Sequence, residues 1–473
     1  MRTMIAVMAA LLLVAPSMSH AQNSRAMLED AAKALGASSL TSLEYVATGA
    51  MFDTGQSAVP GQRGPQFTLK TYVRSISYET GSLQTDFERT RAEARGGGAP
   101  APRQIQLVSG DQAWNLVGDV ASSRPEALAE RQFQLWSTPQ GVIKAAMKYN
   151  ATVEGQTVAF AVPGRFTMKA TLNEARLVDK VEGTVANPVV GDLPVEIKYA
   201  DYKDFGGVKF PTKITQSAGG VPALELVVSD VRPNARVDIQ VPDGIRQATR
   251  PYARVTSQKV VDGVYYLTGG SHHSVAIEMK DYMVVVEGPL NDERAMAVIT
   301  TVRELAPSKP IRYVIASHHH FDHSGGLRAF ASVGTTVLVH ESDRVFLTQA
   351  LAAPATLSPD LLAKSGRRGQ VEGVRDRRVL SDETRTVEIH HIAGSPHEDG
   401  MLMVYLPKEK LLVEADVFTP PPPNTPLSGT PNPNTVNLAD NITRLKLTVD
   451  QILPLHGRIV PMTDLNRAIG RAQ

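Results

Sequence analysis

The chain has 473 residues, 42% of them hydrophobic, which excludes a disordered protein and leaves room for two or three domains at about 150 residues each. Lys+Arg number 49 against 48 Asp+Glu, for a formal charge of +1, and aromatic residues make up 5%. The basic surplus of a nucleic-acid binder is missing, and so few aromatics disfavour a stacking platform for bases. Cysteine is absent, which removes disulfides, thiolate metal ligands and a cysteine nucleophile.

Taken in chain order, Met1–Met4 is a short cationic start, Ile5–Ala15 is apolar, and Ser19-His20-Ala21 is a small-x-small site. This is the pattern of a secretory leader spanning residues 1–21, and it predicts a periplasmic or secreted protein. No later stretch is apolar enough to span a membrane. A helix is expected over Ala26–Leu35, stopped by Gly36, and a flexible loop over 94–102. Ser137-Thr138-Pro139 begins a second helix running to about Lys148. Residues 165–172 and 175–185 read as a hairpin, and 195–202, 209–215 and 223–231 continue the meander between Gly-Gly turns. This first domain, 22–250, is therefore expected to be mostly antiparallel β with a few helices. Its YADYKDFGGVKFPTKI segment resembles the curved sheet of periplasmic lipoprotein-carrier domains. Turn residues and charges near Pro242–Arg254 mark the join.

From 251 to 473 strands and helices alternate, an α/β pattern of sheets covered by helices. Strands are expected at 261–269, 274–279, 281–288, 311–317, 335–340, 385–392, 401–407, 410–418 and 451–456. Helices are expected at 293–306, from Ser324, and at 437–448. Eleven of the twelve histidines lie between His272 and His456, which puts metal or acid–base chemistry in this half.

The strongest motif is His318-His319-His320-Phe321-Asp322-His323, an H-x-H-x-D-H pattern directly after a buried strand. Four ligand-type side chains on one turn can serve two adjacent ions, and imidazole with carboxylate suits zinc, iron or manganese. Further polar residues stand where apolar strands emerge: His397 in a turn, Asp416 after Leu411–Ala415, and His456 after Ile452–Leu455. His319, between two ligands, points elsewhere on any turn. Glu398 and Asp399 either brace His397 or are solvated turn residues.

This half resembles the metallo-β-lactamase superfamily of hydrolases over about residues 255–460. The resemblance rests on H-x-H-x-D-H, the later Gly-x-x-His, the Asp after a strand and the late His, in the family's order. It implies an αββα sandwich with a dinuclear site at one edge. Carried over, His318, His320 and His397 hold the first metal; Asp322, His323 and His456 hold the second; Asp416 bridges both. The implied cofactors are two zinc ions, with iron or manganese as alternatives. The 74-residue gap between His323 and His397 is longer than in compact members, which marks about 347–378 as an insertion. The carboxylate at Asp416 points to the esterase, thioesterase and lactonase branches. Thr419, where lactonases often carry Tyr, disfavours one of them.

The function expected is an exported dinuclear hydrolase cleaving an ester, lactone, thioester or amide of a small-molecule substrate. Two ions sharing a water would generate the attacking hydroxide, with Asp322 orienting it and moving its proton. The alternatives are a β-lactam hydrolase and a non-enzymatic carrier of a lipid-like ligand. His272 and His273, on a hairpin loop, and Asn437, before a helix, are candidates for substrate contact.

Overall fold

The computed structural model describes residues 15–92, 103–248, 254–423, 425 and 429–471. The expected 94–102 loop and most of the leader lie outside the described residues. From Ala15 the chain is helical to Ala34, covering most of the expected Ala26–Leu35 helix.

The first half is one thirteen-stranded sheet spanning Ser42–Pro233. It is an antiparallel meander whose first strand, Ser42–Phe52, pairs with its last, Val221–Pro233, bringing the ends of the domain together. Alternating burial along Phe166–Leu172 shows why: every second side chain faces one core. That core also packs the helices Leu128–Trp136 and Pro139–Lys148. The second of these starts as expected, with Pro139 in its first turn and the Thr138 hydroxyl accepting from Gly141 N.

The second half consists of two sheets, of seven and six strands, packed face to face. Val275, Ile277, Val284 and Ile315 of one sheet share a core with Ile389, Val404, Leu412 and Ile452 of the other. Central strands such as Met283–Val286 are buried at every position. This is the continuous apolar pattern of strands covered on both faces. Helices Asp292–Leu305 and Leu327–Ser332 cover the outer face of the seven-stranded sheet, and Pro433–Arg444 and Met462–Ala468 cover that of the six-stranded sheet. The architecture is αββα, preceded by an antiparallel β-rich domain. Among the described residues no helix is long and apolar enough to cross a membrane.

Two sequence expectations shift. The helix placed at 437–448 runs Pro433–Arg444 instead, because Asn432 caps it and Pro433 occupies its first turn. It stops before Lys446, whose φ is +55°. The 347–378 segment is not a free insertion. It completes the helix Glu341–Ala352, adds a short helix, Leu361–Ser365, and supplies the edge strand Gln370–Val374, parallel to Thr336–His340.

Among the described residues, hydrogen bonds join the two halves at two places. Asp192 accepts hydrogen bonds from Thr356 N at 2.9 Å and Leu357 N at 3.2 Å, and its own N–H donates to Pro354 O at 2.8 Å. The neighbouring Gly191 has φ +67°, and a Cβ there would lie 2.2 Å from Pro354 O, so only glycine fits. The second contact is made by the loop after the first strand, residues 53–65, and it reaches the H-x-H-x-D-H turn.

Candidate metal centre

The candidate metal ligands of the second half sit at one edge of the two sheets. His318–His323 follows strand Ile311–Ile315, Asp416 follows Leu411–Glu414, and His456 follows Gln451–Pro454. His397 lies in the turn between strands Thr386–His391 and Leu402–Leu406, while His272 and His273 precede Ser274–Glu278. The turn is locked by backbone bonds, with Leu290 N donating to Asp322 O at 2.8 Å and Gly326 N to Gly288 O at 2.8 Å.

Asp416 is the hub. Its Oδ2 lies 3.0 Å from His397 Nε2 and 3.7 Å from His318 Nε2. Its Oδ1 lies 2.9 Å from both His323 Nε2 and His456 Nε2. His320 Nδ1 approaches His397 Nε2 at 3.1 Å, and His456 Nε2 approaches His323 Nε2 at 3.2 Å. Ligand atoms of His318, His320, His397 and Asp416 all fall within 4.8 Å of one another, and so do those of His272, His323 and His456. The carboxylate of Asp416 thus stands between two groups of imidazole nitrogens.

The structure adds His272 to the second group. Its Nε2 lies 3.2 Å from Asp322 Oδ2, and its ring centroid lies 4.3 Å from that of His456. Asp322 flanks this group, with Oδ2 3.9 Å from His323 Nε2. His273 is directed elsewhere: its Nε2 faces Gly457 O at 3.0 Å, and its ring packs on Tyr266. Asn437 donates to Ala393 O and Gly394 O, both at 3.1 Å, and so fastens the turn that carries His397.

The far nitrogen of most of these imidazoles has its own partner. His318 Nδ1 faces Ser317 Oγ at 2.9 Å, His320 Nε2 faces Ser57 O at 3.0 Å, and His456 Nδ1 faces Ser271 O at 2.8 Å. His323 Nδ1 faces Glu287 Oε2 at 3.1 Å. In a neutral ring an acceptor on that side takes the one proton, which leaves a lone pair on the nitrogen facing the cluster for a cation to use. His318 Nε2 is buried without a hydrogen-bond partner, and Asp416 Oδ1 makes no well-formed hydrogen bond although two imidazole nitrogens lie 2.9 Å from it, as in a group of ligands arranged for a cation.

The electrostatics agree. Burial, reinforced by neighbouring imidazoles, pushes His318 and His320 well below the usual histidine range, so both are neutral. Burial opposes charge on Asp416 too, but His323, His397 and His456 hold it well below the usual carboxylate range. Burial likewise opposes the charge on His323, yet Asp416 and Glu287 raise it well above the usual value. The site concentrates negative charge that a divalent ion would neutralise, and its donor set of imidazoles and carboxylates fits such ions.

Three supporting residues carry no motif signal. Glu287, fully buried, holds His323 and also accepts from Ser317 Oγ at 2.5 Å. It ends the apolar strand Met283–Val286, so the strand-end rule that singles out Asp416 applies to it equally. Gln56 Nε2 donates to Asp322 Oδ1 at 2.7 Å, and Ser57 supplies the carbonyl that holds His320. Both come from the first domain, and no local pattern could have linked them to residues more than 260 positions away. Gly55 makes that approach possible: its φ is +77°, and a Cβ there would lie 2.3 Å from the Phe321 ring. Replacing Glu287 with Gln should weaken metal affinity by about 10–100-fold with the fold intact, as measured by competition with a chromogenic chelator.

A cavity of about 740 Å³ opens beside the centre. Phe52, Phe87, Phe133 and Leu224 of the first domain line it, together with Ser271 and Phe321, which neighbour His272 and Asp322.

Residues 264–456 match the family model of the metallo-β-lactamase superfamily. The alpha subunit of 2,4-dinitroanisole O-demethylase from Nocardioides sp. (strain JS1661) is 26% identical over 172 residues, 35% of this chain and 48% of that protein. The chain thus spans about half the length of the curated relative it matches. A metallo-β-lactamase from Pontibacter korlensis aligns with 46% of this chain and 98% of its own, at 16% identity and a TM-score of 0.35. The mono-zinc form of the metallo-β-lactamase FIM-1 from Pseudomonas aeruginosa aligns with 47% of this chain and 96% of its own, at 16% identity and a TM-score of 0.36. The C-terminal half of this protein, over residues 264–456, is a metallo-β-lactamase-fold domain.

Proposed function

We propose that the protein is an exported metal-dependent hydrolase. It holds two divalent ions, zinc first among them, and cleaves an ester, lactone, thioester or amide in a small molecule. The observation that carries this reading is Asp416, with imidazole nitrogens at both carboxylate oxygens. His318, His320 and His397 would hold one ion and His272, His323 and His456 the other, with Asp416 between them and Asp322 beside the second. When bound, such ions supply Lewis acidity that ionises water near neutral pH and polarises a carbonyl.

The protein's own residues do the rest. Asp322 is fixed from both sides, by Gln56 at Oδ1 and His272 at Oδ2. Burial opposes its charge, but these partners and His323 hold it below the usual carboxylate range. An ionised carboxylate fixed in this way orients the attacking water, takes its proton at Oδ2 and passes it to the leaving atom. The cavity's wall sets Phe52, Phe87, Phe133 and Leu224 beside Arg74, Arg124, Glu126 and Glu130, which suits a substrate with both an apolar body and polar groups. Export is supported by the cationic, apolar and small-residue order of residues 1–21.

A panel of aryl and alkyl esters, lactones, a thioester, an amide and a chromogenic β-lactam tests the class. 2,4-Dinitroanisole joins it because the relative's name contains it. Turnover of at least one carbonyl substrate by zinc-loaded protein is expected. Turnover of the β-lactam alone would narrow the reading to that alternative. Lipid binding without any turnover would replace it with the carrier.

A further inference from the structure

The middle residue of the motif, His319, is directed away from Asp416 into a second cluster. Its Nδ1 lies 3.3 Å from Glu398 Oε1 and 3.7 Å from Asp343 Oδ1, and ligand atoms of all three fall within 4.8 Å of one another. None of the three is more than 1% exposed. His319 Nδ1, Asp343 Oδ2 and both oxygens of Glu398 are buried with no well-formed hydrogen bond. Asp343 Oδ1 accepts from Ser342 Oγ at 3.0 Å, and His319 Nε2 faces Ser57 Oγ at 3.5 Å. Among the described residues no Lys or Arg pairs with either carboxylate. The backbone is packed close against the group, since a Cβ on Gly400 would lie 2.8 Å and 3.0 Å from the Asp343 oxygens.

Two carboxylates sealed from water with no cation between them are costly. Either they share a proton or a positive ion joins them. An imidazole nitrogen and oxygens of both carboxylates converge on the same space, and His319 Nδ1, Asp343 Oδ2 and the Glu398 oxygens make no well-formed hydrogen bond there, which is the arrangement of a cation site. One nitrogen and two carboxylates form a donor set for a divalent transition metal, and two ionised carboxylates balance its charge.

We propose that His319, Asp343 and Glu398 hold a third divalent ion, buried and structural, separate from the pair around Asp416. Its ligands neighbour those of the pair: His319 lies between His318 and His320, and Glu398 follows His397. Asp343 comes from the helix Glu341–Ala352. The ion ties both ligand-bearing turns to that helix, and it takes no part in bond cleavage.

Zinc stoichiometry tests this without any appeal to activity. The whole protein is stripped with a chelator, reloaded with zinc, desalted and analysed for zinc per chain. Three are expected for the wild type, two for Asp343→Asn and for Glu398→Gln, and one for Asp416→Asn. Asp343→Asn and Glu398→Gln proteins that are folded by circular dichroism and keep the wild-type count would overturn the proposal. A wild type whose zinc is lost entirely in Asp416→Asn would do the same. If the proposed pair around Asp416 is wrong but the third site is right, the wild type still loses one zinc in Asp343→Asn. Should these variants not fold, anomalous diffraction at the zinc edge from wild-type crystals decides: a peak among the three side chains supports the site, and its absence overturns it.

Discussion

Asp416→Asn should abolish hydrolysis, with turnover falling by about a thousandfold or more, and should lower zinc occupancy at the same time. Loss of a residue that merely supports one ligand already costs about 10–100-fold. Asp416 touches both groups, with His397 at 3.0 Å on one oxygen and His323 and His456 at 2.9 Å on the other. Asparagine keeps the shape but removes the charge, and its amide nitrogen would face imidazoles where an oxygen now stands. Turnover and elemental analysis on the same sample check this. A variant with normal zinc and normal turnover would remove the hub from the account.

Asp322→Asn should lower turnover by about 10²–10⁴-fold, the range of a positioned acid–base group. The loss should depend on the leaving group. An alkyl ester, whose alkoxide needs a proton, should suffer more than a nitrophenyl ester, whose phenolate leaves without one. Gln56→Leu frees Asp322 Oδ1 while keeping its charge, so its effect should be the smaller, about 10–100-fold. Equal losses on both esters would assign Asp322 to metal binding alone and withdraw its proton transfer.

The fold of the second half is legible because its central strands, such as Met283–Val286 and Leu402–Leu406, are apolar throughout and its helices Asp292–Leu305 and Pro433–Arg444 start at asparagine caps. The residues gathered at the sheet edge were legible because each is polar where an apolar strand ends, as with Asp416 and His456. Glu287 obeys the same rule and was still missed, since no motif drew attention to it. His272, by sequence a candidate for substrate contact, has its ring among those of His323 and His456. Only tertiary pairing decides such a placement. Gln56 and Ser57 were out of reach for a firmer reason. They act across the domain boundary, through a loop whose sequence is ordinary, and the contact depends on Gly55 having no side chain. The 347–378 segment reads as an insertion because the gap from His323 to His397 is 74 residues, while its short edge strand, Gln370–Val374, is only partly buried. Its pairing with Thr336–His340 and its docking on Asp192 exist only in three dimensions.

In the proposed function the converging imidazoles and Asp416 form a metal centre that performs hydrolysis. Its most direct test is to remove metal from the purified protein with a chelator and then titrate zinc back while following turnover of the best ester substrate. No turnover is expected without metal, and recovery should climb with added zinc. Full turnover in the stripped protein, with its metal verified absent, would contradict it.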